Sequence, residues 1–170
     1  AAEIDQLLPV LNLFPLTEII FHPRTADQLY KGKIQEPVFK RISEQCVHPL
    51  VFNGDIFSLA DYEQNRAQFT GTKTYMLGRG VLMNIFLPAE IKGAVLLTEE
   101  KRMKRAEFHQ DIFRSYMEKM DNPGNALNKL KQFWIYFSHN FTNQRKVLKQ
   151  VKKCTSIESY LKTVQKIFSS

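Results

Sequence analysis

Apolar and polar positions change their spacing part-way along the chain. In the first ninety or so residues, short β-branched and aromatic runs alternate with stretches of helical period. "TEIIFH" (17–22), "PLVFN" (49–53) and "TYMLG" (74–78) predict strands, the first of them bounded by Pro15 and Pro23. Residues 3–14, carrying Pro9, predict a helix. "PVFKRISEQC" (37–46) predicts another, with Pro37 in the first turn and Val38, Ile42 and Cys46 at i, i+4 and i+8. A third spans 58–69 with Ser58 as N-cap, and a fourth follows the Gly-Arg-Gly at 78–80 to about Ile91.

Beyond Gly93 the pattern is helical only. One stripe holds Phe108, Ile112, Phe113, Tyr116, Met117 and Met120, and "DNPGN" (121–125) reads as a turn. A second stripe holds Leu127, Leu130, Phe133, Trp134, Phe137 and Phe141. A third holds Ile157, Tyr160, Leu161, Val164, Ile167 and Phe168, opened by Thr155 or Ser156 as a cap. Such stripes belong to a helical core, here a small bundle. Strands of about five residues alternating with helices mean βαβ units and a parallel sheet. The chain therefore divides into an α/β part, 1–93, and an all-α part, 94–170. Three strands are too few for a closed barrel, so further strands are expected ahead of residue 1.

Composition narrows the class. With 44% hydrophobic and 12% aromatic residues the chain is globular. No apolar run reaches the roughly 20 residues of a membrane helix, and the start has no signal-peptide character. Two cysteines, Cys46 and Cys154, imply a reducing compartment, the cytoplasm, rather than a disulfide framework. The formal charge of +7 is uneven. Residues 1–100 carry nine Lys and Arg against twelve Asp and Glu, whereas residues 101–170 carry fifteen against five. Two readings fit the basic half: a surface for a polyanion such as nucleic acid, or a solvated lysine-rich face.

Candidate chemistry sits where strands end. "LVFNGDIFSLADYEQN" places Asn53, Gly54 and Asp55 after an apolar strand, and "TYMLGRGVLMN" places Gly78, Arg79 and Gly80 after the next. In a parallel α/β barrel these loops build the active site and commonly hold a phosphate. Glycine lets backbone amides approach an anion, and arginine adds a permanently charged fork. The alternative is a pair of ordinary turns. "IIFHPRT" sets His22 and Arg24 at a third strand end, as ligand contacts or as structural residues. His48, His109 and His139 have no metal-like spacing with cysteine or carboxylate, so no metal is proposed.

"HPRTADQLYKGK", "LVFNGDIFSLADYEQ" and "YMLGRGVLMNIFL" together resemble the tRNA-dihydrouridine synthases. That family carries a His-x-Arg-Thr segment, an Asn-Gly-Asp-Ile strand end and an Ile-Gly-Arg-Gly segment in this order. The likeness runs over about residues 3–92, and "LNKLKQFWIYFSHNF" is similar to the C-terminal helices of the family's smaller bacterial branch. "NIFL" stands where the family commonly has Asn-Pro-Trp-Leu, a change in helix entry that leaves the phosphate residues intact.

The resemblance implies an α/β fold, the C-terminal portion of a (β/α)8 TIM barrel of about three βα units, followed by an all-α helical domain. It implies FMN as cofactor, NADPH as reductant and tRNA as substrate, with reduction of the C5–C6 double bond of particular uridines. Carried over by position, His22, Arg24, Asn53, Gly54, Asp55, Gly78 and Arg79 bind FMN, the last two at its phosphate. The tRNA backbone falls to the helical part, with Lys129, Lys131, Arg145, Lys146, Lys149, Lys152 and Lys153 as its partners. The target uridine has to be splayed out of the RNA to reach the flavin. The family's general-acid cysteine, and a lysine and glutamine near the flavin, lie upstream and have no counterpart here. Cys46 reads as a small buried residue, and Cys154 lies among lysines. On this view the chain is a C-terminal fragment, inactive alone, whose open strand edges and sheet face pair with another chain or with a second copy. Two other functions fit less of the sequence. A different FMN barrel oxidoreductase leaves the basic helices unexplained, and a non-enzymatic RNA-binding module leaves the strand-end motifs unexplained.

Overall fold

A computed structural model describes residues 2–28 and 31–169. It divides into two compact units, one ending at Gly78 and the other beginning at Arg79. The first comprises helix α1 (Ala2–Leu11), strand β1 (Ile19–Phe21), a 3-10 turn (Ala26–Gln28), helix α2 (Glu36–Gln45), strand β2 (Leu50–Asn53), helix α3 (Leu59–Gln68) and strand β3 (Thr74–Met76). The strands form one parallel sheet in the order β1-β2-β3. Ile20 lies beside Val51, Val51 beside Thr74, and Asn53 beside Met76.

Alternation along the strands decides which face is covered. Phe21, Phe52 and Tyr75 occupy one face, where α2 contributes Phe39 and Ile42 and the end of α3 contributes Phe69. Phe39 and Phe52 are wholly buried with ring centroids 4.8 Å apart and edge-on, and Phe69 lies 4.8 Å from Phe39 and 5.1 Å from Phe52. Such aromatic contacts add to the burial term, about 1.5–3 kcal/mol for each fully buried large side chain. The opposite face carries Ile20 and Met76, which are 52% and 42% exposed. The helix caps are those the side chains dictate. Ser58 accepts from Asp61 N at the start of α3, and Pro37 stands in the first turn of α2.

The second unit comprises α4 (Arg79–Met83), α5 (Leu87–Ile91), α6 (Thr98–Lys119), α7 (Pro123–Phe137), a 3-10 turn (Ser138–Asn140), α8 (Gln144–Lys152) and α9 (Ile157–Phe168). The single helix expected from the Gly-Arg-Gly to Ile91 is therefore two short ones. Pro88 has no N–H to give and its ring excludes the carbonyl of residue 84, so the first helix stops. Asn84 bridges the break: its Oδ1 accepts from Phe86 N at 3.1 Å and its Nδ2 donates to Glu90 Oε2 at 2.8 Å. The 121–125 turn is a cap, with Asn122 Oδ1 accepting from Gly124 N at 2.8 Å and Pro123 at the first helical position. Of the two expected caps for the last helix, Ser156 is the one used.

The three apolar stripes of this unit meet in one core around Leu130, Trp134, Phe137, Val151 and Tyr160, each 0% exposed, but Met117, Met120 and Leu161 stand outside it, and Leu161 is 41% exposed. Trp134, Tyr160 and His109 form a hydrogen-bonded chain within this core. Trp134 Nε1 donates to Tyr160 Oη at 2.8 Å, and Tyr160 Oη lies 2.6 Å from His109 Nε2. Indole is a donor only, so the phenol oxygen accepts from Trp134 while also bonding the imidazole. Burial holds the His109 imidazole down to about 4 and pushes the Tyr160 phenol up.

Candidate functional site

Because the sheet is parallel, all three strands deliver their C-terminal ends to one edge. His22 follows β1 directly, Asn53 closes β2 with Gly54 and Asp55 after it, and Gly78 stands two residues past β3. His22 Nδ1 lies 2.5 Å from the carbonyl oxygen of Asn53. A carbonyl only accepts, so Nδ1 bears the hydrogen of this bond. The Asn53 side chain is half-buried and makes no hydrogen bond among the described residues, which leaves a carboxamide at the strand end for a ligand.

Arg24 is turned inward. Its side chain is 3% exposed and its guanidinium pairs with Asp55, which is 28% exposed. The other terminal nitrogen donates to the carbonyls of Lys31 at 2.8 Å and Gly32 at 3.0 Å. Gly32 has φ +71°, the left-handed conformation that turns this carbonyl pair toward the arginine without a side-chain penalty. Arg24 thus ties the loop after β1 to the end of β2. Its neighbourhood opens on a cavity of about 460 Å³ lined by His22, Arg24, Thr25, Asp27 and Gln35 among others.

The two glycines differ. A Cβ on Gly54 would lie 2.3 and 2.4 Å from the ring of Phe52, so glycine there is demanded by packing beneath the strand end. A Cβ on Gly78 would meet nothing within 4 Å, so that backbone is open to close approach by a ligand. Arg79, the next residue, is half-buried at the start of α4, and Gly80 is buried.

In the second unit, the cations expected to face RNA lie on α7 and α8. Lys129, Arg145, Lys146, Lys149, Lys152 and Lys153 are exposed and Lys131 is half-buried. None of the seven pairs with a carboxylate among the described residues, in contrast to Lys101, Arg102, Arg114 and Lys162, which do. The inner side of α8 is set by buried Val147 and Val151. The cysteines are free thiols. Cys46 caps the end of α2 ahead of β2 and is half-buried rather than buried. Cys154 is buried, with Sγ 3.4 Å from Thr163 Oγ1. Among the described residues no three His, Cys, Asp or Glu side chains gather as a metal site. No helix among them is long and apolar enough to cross a membrane.

The sequence model of the dihydrouridine synthase (Dus) family matches residues 15–170, through both compact units. The chain belongs to the dihydrouridine synthase family. The tRNA-dihydrouridine(16) synthase of Cupriavidus necator is 33% identical over 75 residues, 44% of this chain and 23% of that protein. The Ralstonia nicotianae protein of the same name is 31% identical over the same shares. The one from Aquipseudomonas alcaligenes is 24% identical over 151 residues, 85% of this chain and 47% of its own length. The chain thus spans less than half of each of these dihydrouridine synthases.

Sequence reasoning missed Asn140. Its Nδ2 donates to Leu82 O at 2.9 Å and Phe137 O at 3.0 Å, while its Oδ1 accepts from Ile85 N at 3.2 Å. It thereby fixes the segment that follows Arg79 onto the end of α7. Nothing near it in the chain signals this, because two of its partners are 55 and 58 residues away.

Proposed function

We propose that this chain is part of an FMN-dependent tRNA-dihydrouridine synthase, which reduces the C5–C6 double bond of a tRNA uridine at the expense of NADPH. The family match carries this reading, supported by the family's motif residues standing together at one edge of a parallel sheet. In this reading residues 1–93 belong to a (β/α)8 barrel and residues 94–170 form a helical tRNA-binding domain, and the enzyme works in the cytoplasm. The sheet face bearing Ile20 and Met76 and the edges at β1 and β3 are then covered by further polypeptide, from the same barrel or a second copy.

The described residues fit FMN. Gly78 leaves open the space a Cβ would fill, and Asn53 offers an uncommitted carboxamide. Bound FMN would supply the hydride that NADPH delivers. Gly78 would let its backbone approach the phosphate, and Arg79 would pair with it through a permanent charge. His22 and Asn53 would orient the ring or ribityl chain. Arg24 and Asp55, locked together, would hold the loop after β1 beside them. Neither cysteine is placed as a general acid. Cys46 precedes β2, away from the ligand edge, and Cys154 lies in the helical core. On the family resemblance the general acid is a cysteine, so in this reading neither thiol fills that role and the chain alone would be inactive.

Lys129, Lys131, Arg145, Lys146, Lys149, Lys152 and Lys153 would neutralise tRNA phosphates, with affinity falling steeply in salt. Because three relatives are named for position 16, we assign the target uridine to that position. The test is a titration of FMN with this chain, followed by flavin fluorescence. Quenching that weakens about tenfold in Arg79→Ala is the expected result. Equal affinity in the variant removes Arg79 from the phosphate site, and absence of binding by either shows that these residues do not hold FMN by themselves.

A further inference from the structure

The start of α6, the 140–143 turn and the end of α9 enclose a cavity of about 420 Å³ in the second unit. The charged side chains lining it are Lys101, Arg102 and Arg105, and among the described residues no carboxylate joins them. Two of the three cations are already answered. Lys101 donates to Glu90 at 2.9 Å and Arg102 to Glu99 at 2.7 Å. Arg105 is not. Its guanidinium carbon sits 5.2 Å from the ring centroid of Phe141 and 5.9 Å from that of Phe86, and no carboxylate reaches it among the described residues. Its Nε is buried without a hydrogen-bond partner among the described residues. A cation partly withdrawn from water is costly unless an anion or hydrogen-bond acceptors meet it. Contact with two ring faces offsets part of that cost but leaves the Nε–H donor unanswered. Thr142 and Asn143 add neutral polar groups to the same wall.

We propose that this cavity binds a phosphate group of the RNA, with Arg105 as the bidentate partner and Lys101 and Arg102 as flanking charge. The assignment rests on the RNA-binding reading above, but it adds a contact apart from the α7 and α8 lysines. Phosphate fits because the guanidinium fork matches its oxygens and because neutral polar groups, with no carboxylate among the described lining residues, stand beside it.

The cavity has a built-in reporter. Trp134, the only tryptophan, stacks on Phe141 with centroids 5.6 Å apart, and Phe141 lies against Arg105. The first arm titrates the chain with inorganic phosphate at constant ionic strength and follows Trp134 emission. The second measures binding of an unmodified tRNA transcript by fluorescence anisotropy across a salt series. Arg105→Met keeps the apolar stem over the rings, and Arg105→Lys keeps the charge without the fork; unchanged far-ultraviolet dichroism confirms that both are folded. We expect a saturable Trp134 response in wild type that is lost in Arg105→Met and weakened in Arg105→Lys. Transcript affinity should fall about tenfold in Arg105→Met, with the salt dependence reduced by roughly one phosphate contact. Unchanged transcript affinity and salt slope in a folded Arg105→Met overturns the proposal, even where free phosphate still binds. Should wild type answer phosphate yet bind no transcript, it is the RNA-binding reading of the whole chain that falls, and the cavity is a site for free phosphate.

Discussion

Tyr160→Phe removes one oxygen from the core of the second unit and strands two groups. Trp134 Nε1, 2.8 Å from that oxygen, loses its acceptor, and His109 Nε2, at 2.6 Å, loses its hydrogen-bond partner. Trp134 and Tyr160 are 0% exposed and His109 is 2% exposed, so water does not reach them to compensate. An unsatisfied buried polar group costs about 1–3 kcal/mol, which puts the substitution at about 2–6 kcal/mol. That is a large share of the roughly 5–15 kcal/mol stabilising a domain. The assay is urea unfolding followed by Trp134 emission, which reports this core alone because there is no second tryptophan. The same cluster sets a pH dependence whose sign is fixed by burial. His109 titrates near 4 when folded and near 6.5 when unfolded, so the unfolded chain takes up the proton first. The stability held by the neutral imidazole is complete above pH 6.5 and is lost as pH falls toward 4. Between pH 6.5 and 5, above most carboxylate titrations, the loss is roughly 1.5 kcal/mol. His109→Phe should abolish it. Tyr160→Phe should retain it, because desolvation rather than the phenol depresses the imidazole. A Tyr160→Phe cost below about 1 kcal/mol, or the same pH slope in His109→Phe as in wild type, refutes the account.

Two further outcomes follow from the strand-end cluster. Gly54→Ala places a Cβ 2.3–2.4 Å from the Phe52 ring, which is wholly buried and cannot swing clear, so a loss of about 1–3 kcal/mol is expected in thermal or urea unfolding; a neutral result would show that the strand end yields. Asp55→Asn leaves the nearly buried Arg24 guanidinium without its counter-charge, for a loss of about 2 kcal/mol, less than a fully buried pair because Asp55 is 28% exposed; Asp55→Asn combined with Arg24→Met should recover most of it, and no recovery would deny that the two act as a pair.

The parts of this molecule legible in its sequence are those fixed by local chemistry. Alternating runs mark β1, β2 and β3 because side chains of a strand pair across neighbours at a period of two, and Ser58 and Ser156 mark helix starts because their oxygens meet orphan amides a turn ahead. Motif order likewise places His22, Asn53 and Gly78 at one sheet edge, since parallel strands have no other way to end. What escapes such reading depends on partners distant along the chain. Gly54 looks like a glycine kept for a ligand, but the Phe52 ring fills the space where its Cβ would be. Arg24 looks like a hand extended to a ligand, but the carbonyls of residues 31 and 32 and the Asp55 carboxylate hold it inside. His109 sits in an ordinary helical stripe, and only the fold brings Tyr160, 51 residues on, to its Nε2. Gly78 is the converse case: its motif implies close approach, and the open space over its Cα is what such approach requires. The residues to which the family's motifs give one role thus divide physically into those that build the edge, Arg24, Gly54 and Asp55, and those that leave it open to a ligand, Asn53 and Gly78. Loss of stability should therefore dominate substitutions of the first group, and loss of flavin affinity without loss of stability should mark the second.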